Sequence, residues 1–453
     1  MFPRALCQVL SADPGYAVLR ENLRDRRESV RWRISFRFVP TPAPSLLRPT
    51  FLLALLGPVP GIAVRLELFH VPLVWETTLF GVAVLGAAFL LAWAAEVAQM
   101  DISQTLAIAV LALIAVLPEY AVDLFLAYRA GQGDEEKRHL AIANMTGANR
   151  LLIGVGWAVV VLIFVWKAKG KGGERELRLR PEQRTDVGFL LVATIWAFSI
   201  PIRGEVGLLD LAVLGTLFVA YIFRAAREEV EEPELVGAAA ALGALPTVTR
   251  RTVTVLLFFY AAAAILFVAE HFANGLIEIG KSFGISTFLL IQWVAPLASE
   301  APEMIIAILF TVRMKAQAGM GTLISSKVNQ WTLLVGTLGL VFSLGAGEIA
   351  ALHLDFEQKE EVFLTAAQSL FAVAVIANLT ISRNEALMML ALFFGQFLLP
   401  YSPVRIGFGI AYIVFAIGIF AFSREARSGI ASAFKHVFEP ISRPRRGRKA
   451  PRG

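Results

Sequence analysis

The chain has 453 residues, of which 57% are hydrophobic and only 17% charged, with a mean hydropathy of +0.66. Soluble proteins contain about 45–50% apolar residues, so this composition excludes a soluble globular domain and predicts a polytopic membrane protein. The single cysteine excludes an internal disulfide framework, and the five histidines lack metal-ligand spacing. The net charge of +6 lies mostly in tails and loops, where it indicates orientation and contact with anionic lipid rather than nucleic acid.

The first half of the chain begins with a basic tail. Residues 1–48 are rich in arginine and lack the pattern of a cleavable signal peptide, so we predict a cytoplasmic N-terminal tail. The segment 49–226 is the predicted first membrane repeat, preceded by an extra helix that Pro58 and Pro60 interrupt. Its candidate spans are about 51–67, 73–98, 102–129, 139–167, 186–202 and 207–224.

The second half has the same organisation. The predicted cytoplasmic linker 227–250 is too short for a folded domain, and 251–422 is the second repeat followed by an extra helix. Its candidate spans are about 251–274, 284–312, 317–345, 361–380, 385–400 and 404–422. A basic C-terminal tail, 423–453, follows. The predicted fold is all-α, a polytopic membrane protein with two inverted five-helix repeats and one extra helix at each end.

The distribution of lysine and arginine predicts the orientation. The loop 167–184 is strongly basic, as are both tails, whereas the loop 352–361 is acidic on balance. Twelve spans place the three basic segments on one side of the membrane and the acidic loop on the other. By the positive-inside rule, both termini are predicted to be cytoplasmic, in a plasma (inner) membrane.

Two related segments, VLPEYAVDLF (116–125) and EAPEMIIAIL (300–309), place a proline directly before a glutamate inside an apolar run. These glutamates are Glu119 and Glu303. Proline removes a helical hydrogen bond, and a carboxylate in the bilayer costs about 3 kcal/mol on translocon scales. Both features are explained if the helix opens around a cation that prefers hard oxygen ligands. The alternative is an ordinary proline kink whose glutamate hydrogen-bonds a neighbouring helix.

Each segment carries a second acid close to the first. Glu300 and Glu303 are three residues apart, and Glu119 and Asp123 are four apart, so each pair shares a helical face. Since two close carboxylates resist ionising together, one of each pair can hold a proton at neutral pH. We therefore predict that Glu300 and Asp123 tune affinity or carry protons, and we assign the same role to Lys327 and Asn144. For the two acids, a position around the site or at its rim is the alternative.

Two polar segments, NMTGANRLLIGVG (144–156) and ISSKVNQWTLLVG (324–336), follow the glutamate segments. Asn149 and Asn329 recur at the same distance before a glycine, which favours them as ion ligands, and Asn144 adds a further amide in the first copy. Hydrogen bonds that only pack helices together are the alternative. Inverted repeats with broken helices that meet at the bilayer midplane are typical of transporters.

At these residues the sequence resembles the Ca²⁺/cation antiporter superfamily, which includes sodium/calcium and proton/calcium exchangers. Members carry two inverted repeats with Thr-Ser-x-Pro-Glu-like and Gly-Ser-Asn-like motifs, and the resemblance covers about 75–345. It extends to the run-in at 269–286, which ends in Gly-Ile-Ser. The resemblance implies two central carboxylate (metal) ligands, Glu119 and Glu303, and a shell completed by Asn149, Asn329, Ser299 and Ser325.

The sequence departs from the family pattern at several positions. The first repeat lacks the usual hydroxyls, Arg150 follows Asn149, and Lys327 stands where a glycine is expected. Some sodium/calcium exchangers have an aspartate at the position of Asn329, which places sodium coupling most in question. Lys327 could fill a cation site with its ammonium, pair with Glu300, or face a cytoplasmic vestibule.

We predict a secondary active cation antiporter, with Ca²⁺ exchanged for H⁺ or Na⁺ by alternating access. It is not expected to be an enzyme or to need a cofactor, and its partners are inorganic cations and the lipid bilayer; its oligomeric state stays open. The alternative is a degenerate, non-transporting membrane scaffold or sensor on the same fold, which Arg150 and Lys327 favour. A membrane enzyme with paired carboxylates is the weakest interpretation, because no nucleophile elbow, histidine cluster or phosphate loop is found.

Overall fold

The computed structural model of the chain describes residues 49–168, 176–227, 235, 237–284, 296–297, 300–399 and 401–438. The predicted ligand Ser299, the N-terminal tail and the last part of the C-terminal tail lie outside these residues. Seven helices in the described part are long and apolar enough to cross a membrane. They are Leu73–Ala98, Lys137–Ala168, Pro181–Arg203, Leu208–Ala225, Thr247–Ser282, Ala316–Ala346 and Ser402–Phe422. The predicted all-α, polytopic fold is confirmed.

The first half is a series of helices with two very short strands. In chain order its elements are α1 (Pro49–Leu56), α2 (Pro58–Arg65), α3 (Leu73–Ala98), α4 (Gln104–Ala115), α5 (Leu117–Gly131), α6 (Glu135–Leu151), α7 (Ala158–Ala168), β1 (Glu176–Arg178), α8 (Arg184–Ala197), α9 (Ser199–Arg203), β2 (Glu205–Val206), α10 (Leu208–Asp210) and α11 (Thr216–Ala225). π-helical turns at Leu152–Trp157 and Leu211–Gly215 and a 3₁₀ turn at Pro181–Gln183 join neighbouring elements.

The second half follows the same plan. Its elements are α12 (Gly237–Gly243), α13 (Thr247–Ser282), α14 (Ala301–Val312), α15 (Ala316–Asn329), α16 (Val335–Ala346), β3 (Leu352–His353), α17 (Phe356–Ile376), β4 (Thr380–Ser382), α18 (Arg383–Leu398), α19 (Ser402–Phe422) and α20 (Arg424–Phe438). A π-helical turn at Gln330–Leu334 joins α15 to α16. Most of the predicted span 284–312 lies outside the described residues, so the prediction of twelve spans stays a prediction.

Short polar side chains set where several helices begin. Ser103, Asp134, Asp355 and Ser382 each accept a hydrogen bond from a backbone amide in the first turn of the helix that follows. Such caps satisfy amide groups that have no partner within the helix. Asp134, Asp355 and Ser382 lie in connections between predicted spans, whereas Ser103 lies at the start of the predicted span 102–129.

The two small β-ladders join the two halves of the chain. β1 pairs with β4 and β2 pairs with β3, both antiparallel. Each ladder brings together two connections that the count of twelve spans places on the same side of the membrane. The ladder pairing therefore agrees with the alternation of spans on which the predicted orientation rests.

Close packing of α5 against α16 positions the first glutamate helix. A Cβ atom added at Gly131 would lie 2.2 Å from the carbonyl oxygen of Phe342, and one added at Gly345 would lie 2.1 Å from that of Tyr128. Only glycine permits backbones to approach this closely, as in other small-residue contacts of membrane helices. A larger residue at either position would push α5, and the acids it carries, away from the second repeat.

Two segments assigned to a linker and a tail contain helices. α12 lies within the predicted linker 227–250 and packs on α3. α20 lies within the predicted tail 423–453 and packs on α8, with Ala426, Gly429 and Ala433 buried. Both helices are shorter than a membrane span, so a search for spans by hydropathy does not reveal them.

Candidate functional site: an ion site between the repeats

The two Pro-Glu helices begin in the same way. α5 starts directly after Val116 (φ −78°, ψ −11°), and α14 starts directly after Glu300 (φ −81°, ψ −8°), each with a proline in its first two positions. Glu119 and Glu303 lie in the first turn, where the positive end of the helix dipole stabilises a carboxylate. The predicted span 102–129 is accordingly two helices, α4 and α5, since proline ends the preceding hydrogen-bond ladder.

The structure brings together the four predicted carboxylates. Glu119, Asp123, Glu300 and Glu303 are each at most 1% exposed, although they come from both repeats. Glu119 interacts electrostatically with the other three. Because buried carboxylates are costly unless protonated, paired or bound to a cation, this cluster needs compensating groups.

Gln330 supplies one such group. Its Nε2 donates a hydrogen bond to Glu119 Oε2 and another, of 2.7 Å, to Glu300 Oε1, so a single amide bridges carboxylates of both repeats. Sequence reasoning missed this residue. Its position directly after Asn329 could have identified it, because Arg150 occupies the equivalent position in the first copy.

Lys327 supplies a second group. The side chain is fully buried, and its Nζ donates to Asn149 Oδ1 at 2.5 Å. The ammonium also lies 4.1 Å from the centre of the Trp331 ring and interacts electrostatically with Glu119 and Glu300. Among the three sequence-based alternatives, the structure therefore places Lys327 inside the site rather than in an open vestibule.

The recurring asparagines already accept hydrogen bonds. Asn149 donates to the Met145 carbonyl oxygen at 2.7 Å while its own oxygen accepts from Lys327. The Asn329 oxygen accepts from the Tyr120 hydroxyl at 2.8 Å. Both amide oxygens would have to exchange these donors for an ion in order to act as ligands.

The other predicted residues lie in two smaller contacts. Asn144 Nδ2 donates to Asp123 Oδ1 at 2.8 Å. The Ser325 hydroxyl lies 2.6 Å from that of Tyr221, which donates to Asp186 Oδ1 at 2.7 Å. Ser325 is thus joined to Asp186, and the structure does not describe its fellow predicted ligand Ser299.

Asp186 also lines a small surface cleft, together with Glu182 and Gln317 among other residues. The cleft lies beside the predicted cytoplasmic loop 167–184. The polar chain from the cleft through Asp186 and Tyr221 therefore leads to the helix that carries the second asparagine.

Glu361 is the counterpart of Asp186 in the second repeat, and it contacts the first repeat. Glu361 Oε2 accepts a hydrogen bond from Thr146 at 2.9 Å, and its other oxygen lies 3.8 Å from Arg150 Nη2. Glu361 lies near the start of α17, as Asp186 lies near the start of α8, and these helices are equivalent in the two repeats. Arg150 thus pairs with Glu361 and does not join the contacts made by Lys327 and Gln330.

Several acceptor atoms of the cluster keep no hydrogen-bond partner among the described residues. These atoms are one oxygen each of Glu119, Asp123 and Glu300 and both oxygens of Glu303, which interacts with the side chains of Glu300 and Ser326. Carboxylate and hydroxyl oxygens suit a proton or a hard cation. Within the described residues no group of three or more His, Cys, Asp or Glu side chains is arranged to hold a metal ion. The assignment of Glu119 and Glu303 as metal ligands therefore stays a prediction.

The profile of the family described as sodium/calcium exchanger protein matches residues 73–226 and 253–401. The crystal structure of an H⁺/Ca²⁺ exchanger, CAX, is 43% identical, with a TM-score of 0.76, and the match covers 85% of this chain and 96% of that one. The sodium-calcium exchanger NCX_Mj, soaked with Na⁺ and Sr²⁺, has the same fold at 18% identity and a TM-score of 0.54, covering 72% of this chain and 98% of that one. No curated protein sequence matches the chain.

The matched ranges contain both Pro-Glu helices and both asparagine helices, so the two repeats coincide with the family profile. The resemblance inferred from the motifs is confirmed, and the chain is a membrane transporter and not an enzyme. It belongs to the sodium/calcium exchanger protein family, within the Ca²⁺/cation antiporter superfamily.

Proposed function

We propose that the protein is a secondary active antiporter that exchanges Ca²⁺ for H⁺ by alternating access. The observation that carries the proposal is the buried cluster of four carboxylates, contributed by both repeats and lying at the helix breaks. A carboxyl group can hold a proton or share a hard cation, but it does both poorly at the same time. Competition between the two ligands at one cluster is sufficient to couple their fluxes.

Glu119 and Glu303 are the proposed central ligands of Ca²⁺. Glu303 is the better placed in the structure, since both of its oxygens lack a partner among the described residues. Glu119 shares one oxygen with Gln330, which must withdraw or rotate when the ion binds. Asp123 and Glu300 are proposed to tune affinity or carry protons. The remaining proposed ligands are Asn329, Ser299 and Ser325, and Asn149 where its oxygen is released from Lys327.

Protons are favoured over sodium as the counter-ion. The relative at 43% identity is an H⁺/Ca²⁺ exchanger, whereas the likeness to the sodium-calcium exchanger, at 18% identity, supports the fold alone. The chain is also rich in site carboxylates and poor in the hydroxyls expected of the first repeat. Titratable ligands without added hydroxyl ligands suit a proton better than Na⁺.

We propose that the two access paths to the site pass Asp186 and Glu361, which lie near the starts of equivalent helices. Asp186 lies between the cleft and Ser325, and Glu361 contacts Thr146 from the other repeat. We place both termini in the cytoplasm of a cell bounded by a plasma (inner) membrane, with the basic tails against anionic lipid. In this orientation the Asp186 cleft opens to the cytoplasm.

A non-transporting scaffold or sensor is the second candidate. The donors of Lys327 and Gln330 already satisfy acceptors that a transported ion would need. A protein whose ion site is permanently filled by its own side chains would keep the fold and lose exchange. Transport measurements separate the two candidates directly.

The test uses purified protein reconstituted into liposomes loaded with ⁴⁵Ca²⁺. In sodium-free buffer, an inward proton gradient should drive release of Ca²⁺. In a separate experiment at constant pH, an inward Na⁺ gradient should not. Liposomes containing equal amounts of the Glu303→Gln variant provide the control for leakage. Release driven only by Na⁺ would reverse the assignment of the counter-ion. If neither gradient moves Ca²⁺, the scaffold or sensor becomes the better description.

A further inference from the structure

The contact between Lys327 and Asn149 is an unusual feature of the site, because it joins a cation from the second repeat to a predicted ion ligand of the first. The distance of 2.5 Å is that of a charge-assisted hydrogen bond. The Trp331 ring, one helical turn further along, faces the same ammonium at 4.1 Å. Two independent contacts thus hold the Lys327 head group at a fixed place within the buried cluster.

We propose that the Lys327 ammonium is a built-in cation of the ion site, which withholds the Asn149 oxygen from the transported ion and lowers the affinity for it. This inference rests on the proposed function as a Ca²⁺ antiporter. A positive charge that stays with the protein repels an arriving divalent ion, and this repulsion is strong where water is excluded. Burial disfavours the charged form of Lys327, and the attraction of Glu119 and Glu300 opposes this effect.

The built-in cation makes the two halves of the site unequal. The residue equivalent to Lys327 in the first copy is Gly147, two positions before Asn149, and glycine has no side chain to place in the site. The acceptor oxygens left without a hydrogen-bond partner among the described residues come from both copies, and they include one of Glu119 and both of Glu303. Lys327 therefore fills the asparagine position of the first copy, while Glu119 and Glu303 each keep an oxygen for the transported ion.

Three single variants and one double variant test this inference. Lys327→Met removes the charge and keeps a long side chain, whereas Lys327→Arg keeps the charge as the matched control. Asn149→Ala removes the contested oxygen, alone and combined with Lys327→Met. Binding of ⁴⁵Ca²⁺ to the detergent-purified proteins is measured by equilibrium dialysis at neutral pH, after gel filtration shows that each variant is monodisperse. If Lys327→Met does not fold, Lys327→Gln replaces it.

Removing the charge should tighten Ca²⁺ binding at least about tenfold, and Lys327→Arg should not tighten it. The loss caused by Asn149→Ala should be at least about tenfold larger in the Lys327→Met background than in the wild type, because only there is the oxygen free to bind the ion. Unchanged affinity in Lys327→Met, or equal losses in the two backgrounds, would overturn the inference.

The outcome also separates this inference from the proposed function. If the wild type transports Ca²⁺ and Lys327→Met binds it no more tightly, only the inference fails. If the wild type neither binds nor transports Ca²⁺ while Lys327→Met binds it, the inference stands and the proposed function fails for the natural chain. If no variant binds Ca²⁺, both are wrong.

Discussion

The two repeats share a backbone plan but do not supply the same groups to the site. The first repeat presents the acceptors Glu119 and Asn149 to Gln330 and Lys327 of the second. In the other direction, Tyr120 of the first repeat donates to Asn329 of the second. Glu303, in the second repeat, keeps both oxygens without a partner among the described residues. Equal helix breaks therefore do not imply equal ion sites, because side chains next to the breaks decide which oxygens stay available.

The backbone after each asparagine explains part of this difference. Arg150 is still within the regular helix α6, whereas Gln330 is the first residue of a π-helical turn. In the first copy the π-helical turn begins two residues later, at Leu152. The side chains at the equivalent positions make different contacts: Arg150 contacts Glu361, and Gln330 contacts the carboxylates.

The largest effects are expected from removing the charge of a central carboxylate. Glu303→Gln and Glu119→Gln should each abolish Ca²⁺ exchange, since a neutral isostere keeps the volume but removes charge that a divalent ion requires. Exchange is measured in liposomes, with circular dichroism and gel filtration as controls for folding. If only Glu303→Gln loses exchange, the carboxylate that the ion requires belongs to the second repeat alone. Near-normal exchange by both variants would refute the site assignment.

An intermediate effect is expected from Gln330→Ala, which tests the bridge between the repeats. Without Ca²⁺ the variant should be less stable by about 1–3 kcal/mol, because Glu119 and Glu300 lose their shared donor. Added Ca²⁺ should raise the melting temperature of this variant more than that of the wild type, since the ion replaces the missing donor. Thermal unfolding with and without Ca²⁺ measures both effects, and equal shifts would show that the amide and the ion do not compete.

A smaller effect is expected from Asn144→Ala, which removes the donor of Asp123 within the first repeat. Loss of one buried hydrogen bond of about 1 kcal/mol should change the half-saturating Ca²⁺ concentration by about fivefold. The dependence of uptake on Ca²⁺ concentration measures this change. An unaltered concentration would mean that Asp123 does not influence the ion and that the first repeat contributes Glu119 alone.

The smallest effect on transport is expected at Asp101, which serves as a reference outside the site. Asp101 lies in the loop between α3 and α4 and accepts hydrogen bonds from Arg250 and Arg251 of α13. The hydrogen bond from Arg251 holds the pKa of Asp101 below its ordinary value. The folded pKa lies below the unfolded one, so the stabilisation is present above the unfolded pKa and is lost as pH falls through the folded pKa.

Asp101→Asn should therefore lower the melting temperature most at neutral pH, and this difference from the wild type should shrink on acidification below about pH 4. Ca²⁺ exchange by folded Asp101→Asn protein should match that of the wild type. A difference in melting temperature that does not depend on pH would show that the ion pair contributes little. Impaired exchange would extend the functional region beyond the two repeats' carboxylates.

Much of the site could be predicted from sequence because the repeated motifs consist of residue types that are costly in a membrane. Prolines beside Glu119 and Glu303 and the spaced asparagines identify the broken helices without any structure. Gln330 and Tyr120 were not predicted, because the sequence does not show in which direction a polar side chain beside a motif points. Their roles depend on contacts with the other repeat, many residues away along the chain.

The sequence by itself determined the membrane class, the order of spans, the inverted repeat and the positions of the four acids, because hydropathy and helix-breaking residues act locally. Only the tertiary structure decided which acceptors are satisfied: that Lys327 meets Asn149, that Gln330 joins Glu119 to Glu300, and that Glu303 is left without a partner among the described residues. The reason is geometric. Hydrogen bonds across the repeats depend on helix rotation, on the π turn and on the close packing of α5 against α16, none of which a one-dimensional pattern specifies.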